Sequence, residues 1–215
     1  MAFPAEQTTS PYNLRAVLWL GLAVAALLSL AACLAFLFAD KDIGAWAGSH
    51  GPELRKGLWI GLFKLLGKGL TMIVLLGVWA LVTRNWKALV IGLLSLTLVA
   101  AVVLPLKGIV RRPRPTQDQS PENPDRARFF RSWSFPSGDT AGAFALAVAL
   151  TPFLRTRWRV VLFVLVAAIG IERVVLGYHF PSDVFAGAAI GVVLGLCALL
   201  LCRRWVDRPP PLPTG

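Results

Sequence analysis

Charge is what this sequence has least of. Of its 215 residues, 15 % are Asp, Glu, Lys or Arg and 56 % are apolar, where a soluble globular chain carries about 25 % charge. A mean hydropathy of +0.67 points the same way. These proportions exclude disorder, a collagen repeat and a coiled coil, and leave an integral membrane protein. Cysteine is scarce as well. Cys33, Cys197 and Cys202 lack CxxC or paired-loop spacing, which excludes a disulfide framework and a zinc site and makes them small buried hydrophobes. Acidic residues number 11 against 22 Lys and Arg, a net charge of +11. In a soluble protein that excess would indicate nucleic acid. Here the cations are confined to segments that can be wet, so they read as orientation signals, headgroup contacts or a site for a small anion, and no nucleic-acid partner is expected.

Long apolar runs are what the chain does have. A hydrocarbon core about 30 Å thick takes about 20 apolar residues. Residues 17–39 meet that without a charge, and Asp40-Lys41-Asp42 stops them. The small-residue box ending in Cys33 resembles a lipoprotein signal, but the run continues apolar past it and only Arg15 flanks it, so a retained first span is expected. Residues 70–82 are too short unless they extend back through 58–67, where Lys64 and Lys68 can snorkel. Residues 44–56 are polar enough for a surface loop or a helix lying in the interface. Further spans are expected at 88–106, 137–154, 160–178 and 183–202, the last opened by Pro181. The expected fold class is all-α: six transmembrane helices in one bundle over residues 17–202, between cytoplasmic tails at 1–16 and 203–215. The polar stretch 107–133 is a loop of the length that usually carries function.

Six spans put both termini on one side. That side holds nine Lys and Arg and the other five, once the long loop and Arg173 are set aside as anion ligands. The positive-inside bias then makes the termini cytoplasmic in a multi-pass cell-membrane protein.

Three polar islands fall on the face opposite the termini. One runs from Lys107 to Arg114-Pro115 after the third span. The second is Pro136-Ser137-Gly138-Asp139 at the start of the fourth. The third is Arg173, His179 and Asp183 between the fifth and sixth. Ionisable groups at membrane depth are costly, which makes Arg173 a functional candidate by default. Lys and Arg converging on one point suit a tetrahedral dianion. Ser137-Gly138 at a helix start adds a hydroxyl and free backbone N–H groups. An imidazole four residues before a carboxylate is the arrangement of an oriented nucleophile. Phosphate-ester chemistry fits all three.

At these residues the chain resembles the type 2 phosphatidic acid phosphatase superfamily, membrane lipid phosphatases related to bacterial acid phosphatases and vanadium haloperoxidases. Its pattern has three parts, K-x6-R-P, P-S-G-H and S-R-x5-H-x3-D. Lys107 with Arg114-Pro115 matches the first; Pro136-Ser137-Gly138 matches the second until Asp139 replaces histidine; Arg173, His179 and Asp183 match the third, with Glu172 in place of serine. The catalytic segments implied are about 104–140 and 172–186.

The resemblance implies roles. His179 attacks phosphorus and carries a phosphohistidine, Asp183 holds its ring, and Lys107, Arg114, Arg173, Ser137 and the Gly138 amide cradle the phosphoryl oxygens. Asp139 takes the place of the general acid. No metal or other cofactor is required, and the active site faces outward. The substrate implied is a phosphorylated lipid within the bilayer (phosphatidate, phosphatidylglycerol phosphate, an isoprenyl diphosphate or a lipid A-type glycolipid), with isoprenyl diphosphate slightly favoured because Asp139 is a poor proton donor; no obligate protein partner is expected. Two alternatives stay open: a lipid phosphotransferase on the same site, and a degenerate homologue that binds anionic lipid without turnover. Arg111, Arg112, Arg126, Arg128 and Arg131 read as headgroup contacts or solvated loop charges, Trp133 and Phe135 as interfacial anchors, His50 as inert, and Glu172 as an ion-pair partner without chemistry.

Overall fold

The computed structural model describes residues 13–55, 65, 67–116 and 133–206. Among these the chain is helical and has no strand. Helix α1 spans Leu14–Phe38, α2 Asp40–Leu54, α3 Gly69–Thr83, α4 Trp86–Val110, α5 Gly138–Leu150 (continued by a 3-10 turn at Thr151–Phe153), α6 Thr156–Val175, α7 Pro181–Leu201 and α8 Arg203–Val206. Local chemistry sets several ends. The side chains of Asn13 and Asn85 accept from the backbone N–H groups of Ala16 and Ala88, capping α1 and α4. Arg84 and Arg111 take left-handed backbone at φ 53° and 51° and stop α3 and α4. Pro181 opens α7, and the Asp183 carboxylate reaches back to the Phe180 N–H at 2.9 Å.

Helices α1, α4 and α7 are each long and apolar enough to cross a membrane. Helix α1 buries only Ala25 and Ala35, and its large side chains Trp19, Leu27, Leu37 and Phe38 face outward. That suits a lipid-facing helix, since lipid tails solvate Leu as well as a protein core does. The remaining expected runs are shorter or more charged: α3 has 15 residues, α5 has 13, and α6 has 20 but carries Arg157, Arg159, Glu172 and Arg173.

At the centre α7 packs against α1, α4, α5 and α6. Its contact with α5 is a backbone contact. A Cβ added to Gly187, Gly191 or Gly195 would stand 2.5, 2.4 and 2.7 Å from the carbonyl oxygens of Ser137, Ala141 and Ala145. Three glycines one turn apart thus meet three α5 carbonyls one turn apart, the close approach that small residues permit between membrane helices. This register places the first turns of α5 and α7 side by side: Ser137 N–H donates to the Asp183 carbonyl at 3.0 Å.

Of the two forms open to residues 44–56 the structure takes the helix, since most of them belong to α2, with Gly44, Ala47 and Gly51 buried. One expectation needs correction. The third span does not end before Lys107. Helix α4 runs on to Val110 and buries Lys107 in its last turn, because the aliphatic stem of lysine packs as an apolar residue does. The Asp40-Lys41-Asp42 stop holds, with α1 ending at Phe38, and its Asp40 is buried. Of the long loop, residues 117–132 lie outside the described residues, as do the backward extension of the second span at 58–64 and 66, and most of both tails.

Candidate functional site

Site residues come from both sides of the α5–α7 seam and from the ends of α4 and α6. His179 lies in the short link between α6 and α7 and is 3 % exposed. Its backbone N–H and that of Tyr178 both donate to the Arg173 carbonyl, at 3.2 and 3.0 Å, folding the link over the end of α6. The ring Nδ1 is 3.4 Å from Ser134 Oγ and 3.8 Å from Asp183 Oδ2, and Ser134 Oγ donates a very short hydrogen bond to that same Oδ2. Ser134 therefore stands between ring and carboxylate. With Nδ1 occupied on this side, Nε2 is left as the lone-pair nitrogen. Burial pushes the imidazole below its ordinary value, the nearby Asp183 carboxylate opposes this, and Arg114 and Lys107 reinforce it. The ring is neutral at pH 7, the form a nucleophile needs.

Lys107 and Arg114 act on that ring electrostatically, and Arg173 acts on Arg114. Lys107 Nζ donates to the Trp133 carbonyl at 2.7 Å, and a Cβ built on Gly138 would stand 3.9 Å from Lys107 Cε, so lysine and glycine are neighbours. The Arg114 and Arg173 guanidiniums lie 5.7 and 5.8 Å from the Tyr178 ring centroid. Burial lowers the Arg114 guanidinium from its ordinary value, which the nearby Asp139 opposes. Arg173, buried, pairs with Glu172 at 3.0 Å and with Asp139 at 3.3 Å. Glu172 is thus the ion-pair partner expected. Ser137 Oγ is 2.9 Å from Thr140 Oγ1, within the first turn of α5.

All eight sequence-derived site residues (Lys107, Arg114, Ser137, Gly138, Asp139, Arg173, His179, Asp183) fall at this one end of the bundle. An apolar groove of about 420 Å³ between α3, α4 and α5 reaches them, walled by Leu70, Leu96, Val99 and Val103 and ending at Lys107, Gly138 and Asp139. A second groove, about 590 Å³, runs between α1 and α7 past Phe36 and Phe135 to Ser182. Phe135 therefore walls an apolar path.

One assignment is overturned. Arg112 is no headgroup contact: it pairs with Asp183 at 2.8 Å and with Asp40 at 2.7 Å. Asp40, Ser134, Ser182 and Tyr178 also belong to the site and were not expected there. Asp40 carried one signal, a carboxylate at the end of an apolar run, where ionisable groups mark function. Arg126, Arg128 and Arg131 lie outside the described residues. His50 is exposed and stacks on Trp46 at 5.2 Å, away from these residues' contacts.

Comparison with known proteins gives the same family. The model of the PAP2 superfamily matches residues 88–208. Decaprenylphosphoryl-5-phosphoribose phosphatase of Mycobacterium tuberculosis H37Rv is 34 % identical over 127 residues, 59 % of this chain and 68 % of that one. Among solved structures, Aquifex aeolicus LpxE superposes with a TM-score of 0.56 at 32 % identity, covering 66 % of this chain and 84 % of that one. A transmembrane PAP2 type phosphatidylglycerolphosphate phosphatase of Bacillus subtilis gives 0.55 at 24 % identity over 90 % and 97 %, a likeness of fold.

Proposed function

This chain belongs to the PAP2 superfamily, and on that premise we propose that it is a membrane lipid phosphatase that works through a phosphohistidine on His179. The observation that carries the reading is the union of two things at one point. The buried His179 imidazole shares one end of the bundle with Lys107, Arg114 and Arg173, and an apolar groove ends on Lys107, Gly138 and Asp139. The first is chemistry for a phosphoryl group, and the second is a berth for a hydrocarbon tail.

Nε2 of His179 attacks phosphorus, while Asp183, through Ser134, holds Nδ1–H. The P–O bond to the lipid breaks and its electron pair leaves on the lipid oxygen. Charge that builds on the phosphoryl oxygens meets Lys107, Arg114, Arg173, the Ser137 hydroxyl and the Gly138 N–H, preorganised in a site that excludes much of the water. Water then cleaves the P–N bond, releasing phosphate and restoring the ring. Asp139, paired with Arg173, has no proton to give to an alkoxide leaving group, so a lipid diphosphate, whose leaving group is itself a phosphate, is the better substrate.

In this reading α1, α3, α4, α5, α6 and α7 are the six spans of one domain over residues 17–202. Both termini are cytoplasmic and the site faces outward in the cell membrane. The test is phosphate release by purified protein in detergent across mono- and diphosphate lipids, beside His179→Ala. Release by wild type and none by the variant is expected; equal release by both overturns the mechanism.

A further inference from the structure

Behind the proposed nucleophile lies a buried ionic relay whose far end no step above uses. Asp40, the first residue of α2, is 4 % exposed. Its Oδ1 accepts the Ser182 backbone N–H at 3.0 Å; its Oδ2 accepts Arg112 Nη2 at 2.7 Å and also the Ser182 hydroxyl. Arg112 Nη1 in turn donates to the Ser182 hydroxyl at 2.7 Å and to Asp183 Oδ1 at 2.8 Å. Its guanidinium lies 3.9 Å from the centroid of the Phe180 ring, which fixes the plane of the fork. Two carboxylates therefore share one guanidinium, and the formal charges leave one negative charge over.

Such an arrangement is a poor source of stability, because desolvation offsets most of the attraction. Its value lies in geometry and in sign. Arg112 alone would fix Asp183 but would also cancel its charge. Asp40 restores that charge without touching the imidazole.

We infer that Asp40 and Arg112 are positioning residues, which lock Asp183 in the rotamer that orients His179 and leave a negative charge behind the ring as it bonds to phosphorus. The inference rests on the phosphohistidine reading, in which the ring passes from neutral to cationic as the lipid oxygen departs with its electron pair. Lys107 from α4 and Arg114 from the segment after it oppose that change, and Asp183 from α7 favours it. Arg173 of α6 and Asp139 of α5 pair with each other across the site.

The test is the pH dependence of kcat/KM for Asp40→Asn, Arg112→Gln and Arg112→Lys, measured in isolated membranes and in detergent beside wild type and His179→Ala. Each Asp40 or Arg112 variant is expected to lose about 10- to 100-fold in kcat with KM within about threefold, since the substrate cradle is untouched. The acid limb is expected to move in opposite directions, by about half a unit to one unit. Asp40→Asn removes an anion and moves it to lower pH. Arg112→Gln removes a cation and moves it to higher pH. Arg112→Lys keeps the charge but loses the fork, so kcat falls with the limb in place. Wild-type kcat in Asp40→Asn, or limbs that stay put or move the same way in Asp40→Asn and Arg112→Gln, overturns the inference. If Arg112→Gln does not accumulate, the limb of the near-isosteric Asp40→Asn decides alone. A wild type that releases no phosphate from any lipid overturns the underlying reading instead.

Discussion

Replacing Asp139 by histidine should change which lipid the enzyme prefers, because in the proposed mechanism this residue stands beside the leaving oxygen. Asp139 is in the first turn of α5, at the polar end of the groove between α3, α4 and α5, so a lipid tail in that groove brings its ester oxygen alongside. Its carboxylate is 3.3 Å from Arg173 and 35 % exposed. Such a carboxylate accepts hydrogen bonds and donates none. A correctly placed general acid contributes about 10²–10⁴-fold, and its worth grows with the basicity of what departs. A departing alkoxide is about as basic as hydroxide, whose parent water has a pKa of about 15.7. A departing lipid monophosphate has a second pKa of about 6. The gap of about ten units means that the monoester feels nearly all of the missing acid and the diphosphate almost none. Asp139→His should therefore raise kcat/KM on phosphatidate by about 10²-fold, about 2.7 kcal/mol of barrier. On an isoprenyl diphosphate the change should stay within about threefold, and Asp139→Asn should be tolerated there. Initial-rate phosphate release on both lipids, from the three proteins in one detergent, provides the comparison. If Asn abolishes both activities equally, Asp139 is itself the proton donor and the argument for diphosphate fails.

Four further outcomes are expected. His179→Ala should abolish turnover and Asp183→Asn should leave a small residue of it, read as single-turnover phosphate release, because one removes the nucleophile and the other only misorients it. Since burial holds His179 below the ordinary histidine value, the acid limb of kcat/KM should lie below about 6.5; an acid limb above pH 7 would contradict a neutral buried ring. EDTA should leave the rate unchanged, because the proposed cradle of Lys107, Arg114 and Arg173 supplies the positive charge. Strict dependence on magnesium would place the protein in another mechanistic class. Gly191→Val should lower the thermal midpoint in detergent together with kcat, since even its Cβ falls 2.4 Å from the Ala141 carbonyl and must push α5 from α7, at a cost of about 1–3 kcal/mol or more.

The helices were legible in the sequence wherever lipid alone decides what a residue can be. Residues 17–39 became Leu14–Phe38 and 183–202 became Pro181–Leu201, because an apolar run has few options in a bilayer. Boundaries slipped where a polar residue is buried: Lys107 looked like the residue beyond a helix and lies in its last turn. Residues with a motif (His179, Asp183, Arg173) could be found because their spacing is local, four and six residues apart. Asp40 and Arg112 could not, because they meet across 72 positions and nothing in either neighbourhood reports the other. Arg112-Pro113 and Arg114-Pro115 are the same dipeptide twice, yet one arginine stands behind the carboxylate and the other faces the ring. Pro113 alone stands between them.

The stripe of glycines on α7 bears on how the protein comes to exist. In order of synthesis α7 follows α1, α2, α4, α5 and α6, all of which it touches. Until it enters the bilayer, the α5 carbonyls at Ser137, Ala141 and Ala145 have no partner that approaches closely enough to fix their depth. The Ser137 amide also lacks the Asp183 carbonyl it will bond. A ribosome-bound chain that has inserted everything before Pro181 therefore already carries His179 and the cations, but not Asp183, the carboxylate behind the ring. In the proposed mechanism, full activity waits for the docking of that single helix, which brings Asp183 up behind a ring already in place.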